Sequence, residues 1–202
     1  MSMNRRIQRG IVVLVVLLAL LIMALSAAAL LRSVEAAIQV TGNLGFADAA
    51  LAAADTAVES AVAALFEDRR IADTTQDDAA NAYFASRVAG ENLRGVPVAL
   101  QSIAGYPAGA ATLDAGNGNI SRIVVERMCR AAGPAAADHC LLASTAEPPL
   151  AVPGVPYAEP PSVPLFRVTV RVDGPANATQ FVQAWLADLP SGRRVAWRVL
   201  AD

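Results

Sequence analysis

Three side chains that could bind a metal ion lie close together in the second half of the chain. Cys129 and Cys140 enclose the stretch RAAGPAAADH, and His139 is the last residue of that stretch. Cysteine and histidine are the usual ligands of zinc. Three ligands bunched on a loop of alanine and proline nevertheless favour a simple cysteine pair, which is a short disulfide in an exported protein and two thiols in a cytosolic one. We therefore expect no metal site.

Other residues that could do chemistry lack the spacing it requires. Asp77 and Asp78 are adjacent carboxylates without the alternating ligands and fixed glycine of a calcium loop, so they indicate a solvated helix start. The stretch DAGNGNI indicates a turn rather than a phosphate-binding loop, and the Asn-Ala-Thr sequon at Asn177 indicates a turn as well. His139 is the only histidine, and its surroundings suggest an exposed loop. The sequence predicts that the protein is not an enzyme and has no cofactor.

The N-terminus decides the compartment. Arg5, Arg6 and Arg9 precede residues 11–31, an apolar run that only Ser26 interrupts. As a helix this run is about 31 Å long, which matches the hydrocarbon core of a bilayer. The positive-inside rule keeps the arginines in the cytoplasm. We expect a single pass through the inner membrane, with the N-terminus cytoplasmic and the body periplasmic. In that oxidising space, Cys129 and Cys140 are expected to form a disulfide.

The helical pattern continues beyond the apolar run. Residues 33–68 contain no proline, and Asp48, Asp55 and Glu59 mark a polar face. Apolar residues recur at helical spacing on another face: Leu44, Leu51, Val58, Val62, Leu65 and Phe66. A cleaved secretory signal remains open, because the stretch ALSAAA would suit a signal peptidase and would release a periplasmic binding protein. The apolar run is longer than the usual signal core of about 7–15 residues, which favours a retained helix.

The N-terminus resembles that of a type IV prepilin. That class has a short basic leader ending in glycine, an apolar helix that starts at the next residue, and an amphipathic continuation. The resemblance implies that prepilin peptidase cuts between Gly10 and Ile11 and that Ile11 is N-methylated. Glycine suits the cut, because its missing side chain lets the peptidase approach the scissile bond closely. Residues 1–10 would then be the leader peptide.

One position departs from the pattern of most major pilins. Their fifth mature residue is a glutamate, which is thought to pair with the N-terminal amine of a neighbouring subunit, whereas the fifth residue after Gly10 is Val15. A charge at that depth costs about 2.5–3.5 kcal/mol unless a partner offsets it. Its absence suggests a subunit with no pilin docked above it, at the tip of a filament.

The region after the membrane run is similar to the PilX family of minor pilins. The stretch LLRSVEAAIQVTGNLGFADAALAAADTAVESAV matches a family pattern of Arg-Ser, a glycine-asparagine turn and an alanine-rich run. The matching positions are Arg32, Ser33, Glu35, Gly42, Asn43, Ala53, Ala54, Asp55, Ala57 and Val58. Thr41 before Gly42, and Asp55 in place of the usual glutamate, depart from the pattern. The resemblance implies a role in priming and assembling the type IV pilus, with other minor pilins, the major pilin and a large tip adhesin as partners.

A second system uses similar subunits. Some pseudopilins of type II secretion also lack the glutamate, but these usually carry a larger inserted domain than 202 residues allow. Nucleic acid is not an expected partner, since thirteen arginines face eighteen acids after residue 10, with no basic cluster. The filament subunit is therefore the leading hypothesis.

The body is expected to be a small antiparallel sheet. The stretch ISRIVVERMC indicates a strand, and PLFRVTVRVDG alternates apolar and polar residues strictly. TQFVQAWLAD and RRVAWRVLAD complete a meander whose apolar face would pack on the long helix. The fold class is α+β and pilin-like, with a transmembrane helix at 11–31, its amphipathic continuation at 32–68 and a globular head at 69–202.

Two features of the sequence interrupt these elements. Gly42 and Gly45 are poor helix formers, each less favourable than alanine by up to about 1 kcal/mol, and they predict a tolerated kink, a break, or a point where the helix extends on filament packing. Seven prolines from Pro148 to Pro164 predict an extended surface loop, since proline cannot donate to a β-ladder.

Overall fold

The computed structural model describes residues 5–146 and 161–200, with the side chains of residues 5–10 and 176 left aside. It divides into two compact units, residues 1–45 and 46–202. The helices are α1 (Arg5–Val62) and α2 (Val98–Gln101). The strands are β1 (Tyr83–Phe84), β2 (Thr112–Asp114), β3 (Ile120–Arg127), β4 (Leu142–Ser144), β5 (Ser162–Pro164), β6 (Phe166–Asp173), β7 (Thr179–Leu189) and β8 (Gly192–Leu200). This is the α+β arrangement that the sequence predicts, and it is consistent with a pilin-like fold.

Helix α1 begins at Arg5, so it includes the residues before the apolar run. Gly42 and Gly45 do not interrupt it, since both keep helical backbone. The helix passes into a π-helical turn, Ala63–Glu67, where the amide of Asp68 donates to the carbonyl of Ala63. Such a turn widens the last part of the helix before the chain leaves it.

The main sheet has the order β1-β3-β6-β7-β8, with β2 also paired to β3. The three strands β6, β7 and β8 form the meander that the alternating sequence predicts. The sheet is mixed rather than wholly antiparallel, since the two-residue strand β1 runs parallel to β3. Strands this short carry no readable alternation, which is why the sequence did not indicate them.

The helix-side core joins the last four turns of α1 to one face of the sheet. Val58 and Val62 of the predicted apolar face are buried there, whereas Leu44 is 61% exposed. The buried part of α1 therefore begins at Ala50, since no residue of 11–49 is buried. The core side chains from the sheet include Val168, Val170, Val172, Val182, Ala184 and Leu186.

The prediction of an extended surface loop from Pro148 to Pro164 is wrong for its last residues. Its end, Ser162–Pro164, is strand β5 and pairs with β4, with Pro164 opposite Leu142. Proline is tolerated there because the two-stranded sheet leaves one side of each strand unpaired. The remainder of the predicted loop, residues 148–160, lies outside the described residues.

Candidate functional site

The apolar run of α1 is exposed along its whole length. Every residue from 11 to 31 is solvent-exposed, with Ile11 at 59% and Val15 at 58%. One helix within the described residues is long and apolar enough to cross a membrane, although helices of other origin pass the same test of length and composition. The exposure is compatible with a membrane span, because such a surface is unfavourable in water.

The predicted cleavage site lies inside this helix. Gly10 and Ile11 are consecutive residues of α1, and Val15 follows one turn later on the same helix. This stretch belongs to the first compact unit.

The head contains the expected disulfide. Cys129 and Cys140 are joined, with their Cα atoms 4.0 Å apart, and both are buried. Backbone hydrogen bonds flank the bridge on both sides, from the amide of Arg130 to the carbonyl of His139 and from the amide of Leu141 to the carbonyl of Met128. The bridge and these bonds hold the ten-residue loop closed at its base.

His139 makes hydrogen bonds within that loop and does not form a metal-ligand set with the two cysteines. Its Nδ1 lies 2.7 Å from a carboxylate oxygen of Asp138, and its Nε2 lies 3.0 Å from the carbonyl oxygen of Pro134. The hydrogen bond from His139 holds the pKa of the Asp138 carboxyl below its usual value. Within residues 5–146 and 161–200, no group of three histidine, cysteine or acidic side chains is placed to hold a metal ion.

A cleft of about 630 Å³ lies beside the disulfide. Three segments line it, namely residues 87–91, 128–130 and 137–141. Arg127, which is buried next to it, donates from Nε to the carbonyl of Ala85 at 3.0 Å and from Nη2 to the carbonyl of Gly133. The buried guanidinium of Arg127 thereby links the disulfide loop to the segment that contains Ala85.

A network of acidic and basic side chains extends from the wall of the cleft into the head. Arg167 of β6 donates from Nε at 2.9 Å and from Nη2 at 2.7 Å to one oxygen of Glu126 on β3, and from Nη2 to Glu91 at 2.7 Å. Glu126 is fully buried and also accepts the amide of Val88 at 2.9 Å. Arg87 completes the network at its exposed end by donating to Glu91 at 2.9 Å.

The two carboxyl groups of this network are shifted in opposite directions. Burial would raise the pKa of Glu91, but the hydrogen bonds from Arg167 and Arg87 outweigh it and lower the pKa to about 2. Burial raises the pKa of Glu126 above its ordinary value, and Arg167 offsets only part of that rise. Glu91 is thus the firmly ionised member of the network.

Further hydrogen bonds from the sheet hold a covering segment, residues 88–101, over its second face. Arg171 of β6 donates to the carbonyl of Leu100 at 3.1 Å, and Gln183 of β7 donates to the carbonyl of Gly95 at 3.0 Å. The apolar side chains of Val96 and Leu100 are fully buried beneath the segment. The sheet is therefore covered on both faces, by α1 on one and by the covering segment on the other.

No family model, curated protein or solved structure matches this chain.

The structure brings together some of the residues singled out from the sequence and separates others. Cys129, Cys140 and His139 share one loop, whereas Gly10, Ile11 and Val15 belong to the other unit. The network of Arg87, Glu91, Glu126 and Arg167 was not indicated by the sequence, because its hydrogen-bonded partners lie up to 76 positions apart. No local pattern signals a contact at such a separation.

Proposed function

We propose that this chain is a PilX-like minor pilin that takes part in priming and assembling the type IV pilus, within the complex at the filament tip. The observation that carries the proposal is that one part of α1 is exposed and apolar while another part is buried in the head. Residues 11–31 are exposed and apolar, while residues 50–62 contribute the helical side of the head's core. A subunit of a helical filament needs both, since the exposed part packs among neighbouring helices and the buried part carries the head.

The proposed role is assembly and not catalysis. Before assembly the apolar run would span the inner membrane with its N-terminus in the cytoplasm, and the disulfide of the head fits a periplasmic location. Prepilin peptidase would cut after Gly10 and methylate Ile11. The lack of a carboxylate at Val15 supports a position with no pilin above it, because only a neighbouring amine would offset the cost of burying that charge.

The mass of the mature N-terminal peptide tests this proposal. We expect a chain that starts at methylated Ile11 in cells with prepilin peptidase and an uncut chain in cells without it. The variant Gly10→Val should remain uncut in both strains, because its side chain would obstruct the approach to the scissile bond. Ser26→Ala serves as a control that leaves the junction intact.

A mature chain that starts near Ala28 would instead identify a released periplasmic protein and would exclude the filament subunit. Loss of pilus assembly in a deletion strain, with secretion intact, would separate the pilus from a type II secretion system.

A further inference from the structure

The two edges of the main sheet differ in how much unpaired backbone they offer. At the β3 edge, β1 and β2 are two and three residues long. At the other edge, β8 has nine residues and pairs only with β7 among the described strands. In an antiparallel pair, alternate residues point their N–H and C=O groups away from the partner strand. The backbone of β8 therefore presents an extended row of outward-facing donors and acceptors.

The second half of β8 lacks several of the features that usually protect a sheet edge. The register with β7 shifts before Ala196, whereas residues 196–200 pair regularly with residues 181–185. We name residues 196–200 the open edge. They include no proline, lysine or acidic residue, and these are among the residues with which proteins block strand pairing.

Large apolar side chains mark the same edge. Trp197 is 41% exposed and Val199 is 37% exposed. In the register of the sheet they pair with Ala184 and Val182, which are fully buried in the helix-side core. The apolar face of the sheet thus runs from the core to the open edge without a polar boundary.

Charge distinguishes between possible occupants of the edge. Arg198 stacks over the ring of Trp185 at 5.0 Å and donates to Gln183 at 2.6 Å, but no carboxylate of the described residues contacts it. Strand β8 carries Arg193, Arg194 and Arg198 and no acid. Arg193 pairs with Glu67 and Asp188, and Arg194 pairs with Asp55 and Glu59, so Arg198 is the arginine whose charge an added strand would meet. Pairing with β8 of a second copy would bring a further Arg198 and no acid, and like charges on paired strands are destabilising. A strand that brings a carboxylate would complement Arg198.

We propose that the open edge binds an extended segment of another polypeptide as an added strand. The segment has apolar side chains at alternate positions, which cover Trp197 and Val199, and an acidic residue on the face of Arg198. Main-chain hydrogen bonds supply affinity in this mode of recognition, and the alternating side chains supply specificity. The site uses no residue of the apolar run and belongs to the second compact unit, so it goes beyond the proposed role in filament assembly.

Two synthetic peptides test the proposal on the full chain in detergent micelles. The first, Thr-Val-Glu-Val-Thr-Val-Glu-Val-Thr with both ends blocked, offers the alternation and the acid, and the second replaces both glutamates by lysine. Fluorescence anisotropy of the labelled peptides gives the affinities, and hydrogen exchange of the β8 amides locates the contact. We expect the glutamate peptide to bind at least tenfold more tightly than the lysine peptide and to slow exchange at the open edge.

Variants of exposed residues complete the test. Val199→Lys and Trp197→Lys should each weaken binding of the glutamate peptide at least tenfold. Ile103→Lys, at an exposed apolar position outside the sheet, should leave that binding unchanged. Arg198→Glu should reverse the preference between the two peptides. Exchange of the β6 amides verifies that each variant is folded. Equal binding of both peptides, no binding at about 1 mM, or self-association that Trp197→Lys abolishes would overturn the proposal, the last in favour of a second copy.

Discussion

At the scale of single residues, the most demanding feature of the head is an ion pair that lies fully inside it. Arg167 is 4% exposed and Glu126 is fully buried, so water solvates neither charge. Removing ions from water costs several kcal/mol each, and their mutual attraction offsets that cost only where the hydrogen bonds are complete. Here they are nearly complete, because Glu126 accepts from Arg167 and Val88 while Arg167 also reaches Glu91.

The variant Arg167→Met tests the importance of that completeness. It leaves Glu126 buried without a counter-charge, so we expect the free energy of unfolding to fall by about 3–5 kcal/mol. The double variant Glu126→Gln with Arg167→Met removes both charges and should recover at least half of the loss. Urea denaturation of the full chain in micelles, followed by tryptophan fluorescence, measures both.

A matched control lies at the exposed end of the same network. The Arg87 side chain is 58% exposed and pairs with Glu91. Exposed ion pairs contribute about 0–1 kcal/mol, so Arg87→Met should lower the free energy of unfolding by no more than about 1 kcal/mol. Equal losses in Arg87→Met and Arg167→Met would contradict the argument from burial.

At the scale of elements, α1 approaches the sheet through alanines. Ala54 and Ala57 are fully buried, and Ala50, Ala53 and Ala61 are nearly so. Small side chains let a helix backbone lie close to its neighbour, and a close-packed interior leaves no room for a larger one. The alanine-rich composition of residues 49–64 therefore has a packing role at this interface.

Substitution of leucine on opposite faces of α1 tests that role. Ala57→Leu inserts three carbon atoms against the sheet, and overpacking of this kind costs about 1–3 kcal/mol. Thr56→Leu places the same side chain on the exposed face and should change the free energy of unfolding by less than about 0.5 kcal/mol. Thermal unfolding of the two variants beside the parent chain gives the comparison. Equal stability of the two variants would mean that the helix can shift away from the sheet at no cost.

The sequence predicts those elements whose residues repeat with a clear period. Strand β6 alternates Phe166, Val168 and Val170 with Arg167 and Thr169, and it was correctly located with the two strands that follow. The same alternation gives no sign that the polar side chains of β6 are buried too, because the segment that covers them lies about 70–80 positions earlier. The disulfide could be predicted because the sequence contains only two cysteines. The network around Glu126 could not, because it depends on tertiary contacts that no local pattern encodes.

At the scale of the whole molecule, the two units differ in what holds them together. The unit of residues 1–45 contains no buried residue from 11 onward, whereas the second unit contains the whole described core. Within α1 the buried residues begin at Ala50, so the helix contributes to the head only through residues that follow Gly45. The head should therefore stay folded when a truncation removes only the residues before Ala50. It should lose stability when the truncation also removes Ala50–Val62.

Two truncated chains, exported to an oxidising compartment so that the disulfide forms, test this dependence. The chain 46–202 keeps every buried residue of α1, and we expect a soluble protein with one cooperative unfolding transition. The chain 63–202 loses Ala50–Val62 and uncovers Val168, Val170 and Val182. Because a sheet needs a packed layer over its apolar face, this chain should lose the cooperative transition and bind a hydrophobic dye. Circular dichroism against temperature measures both, and a cooperative transition in the shorter chain would show that the sheet is stable without its helix.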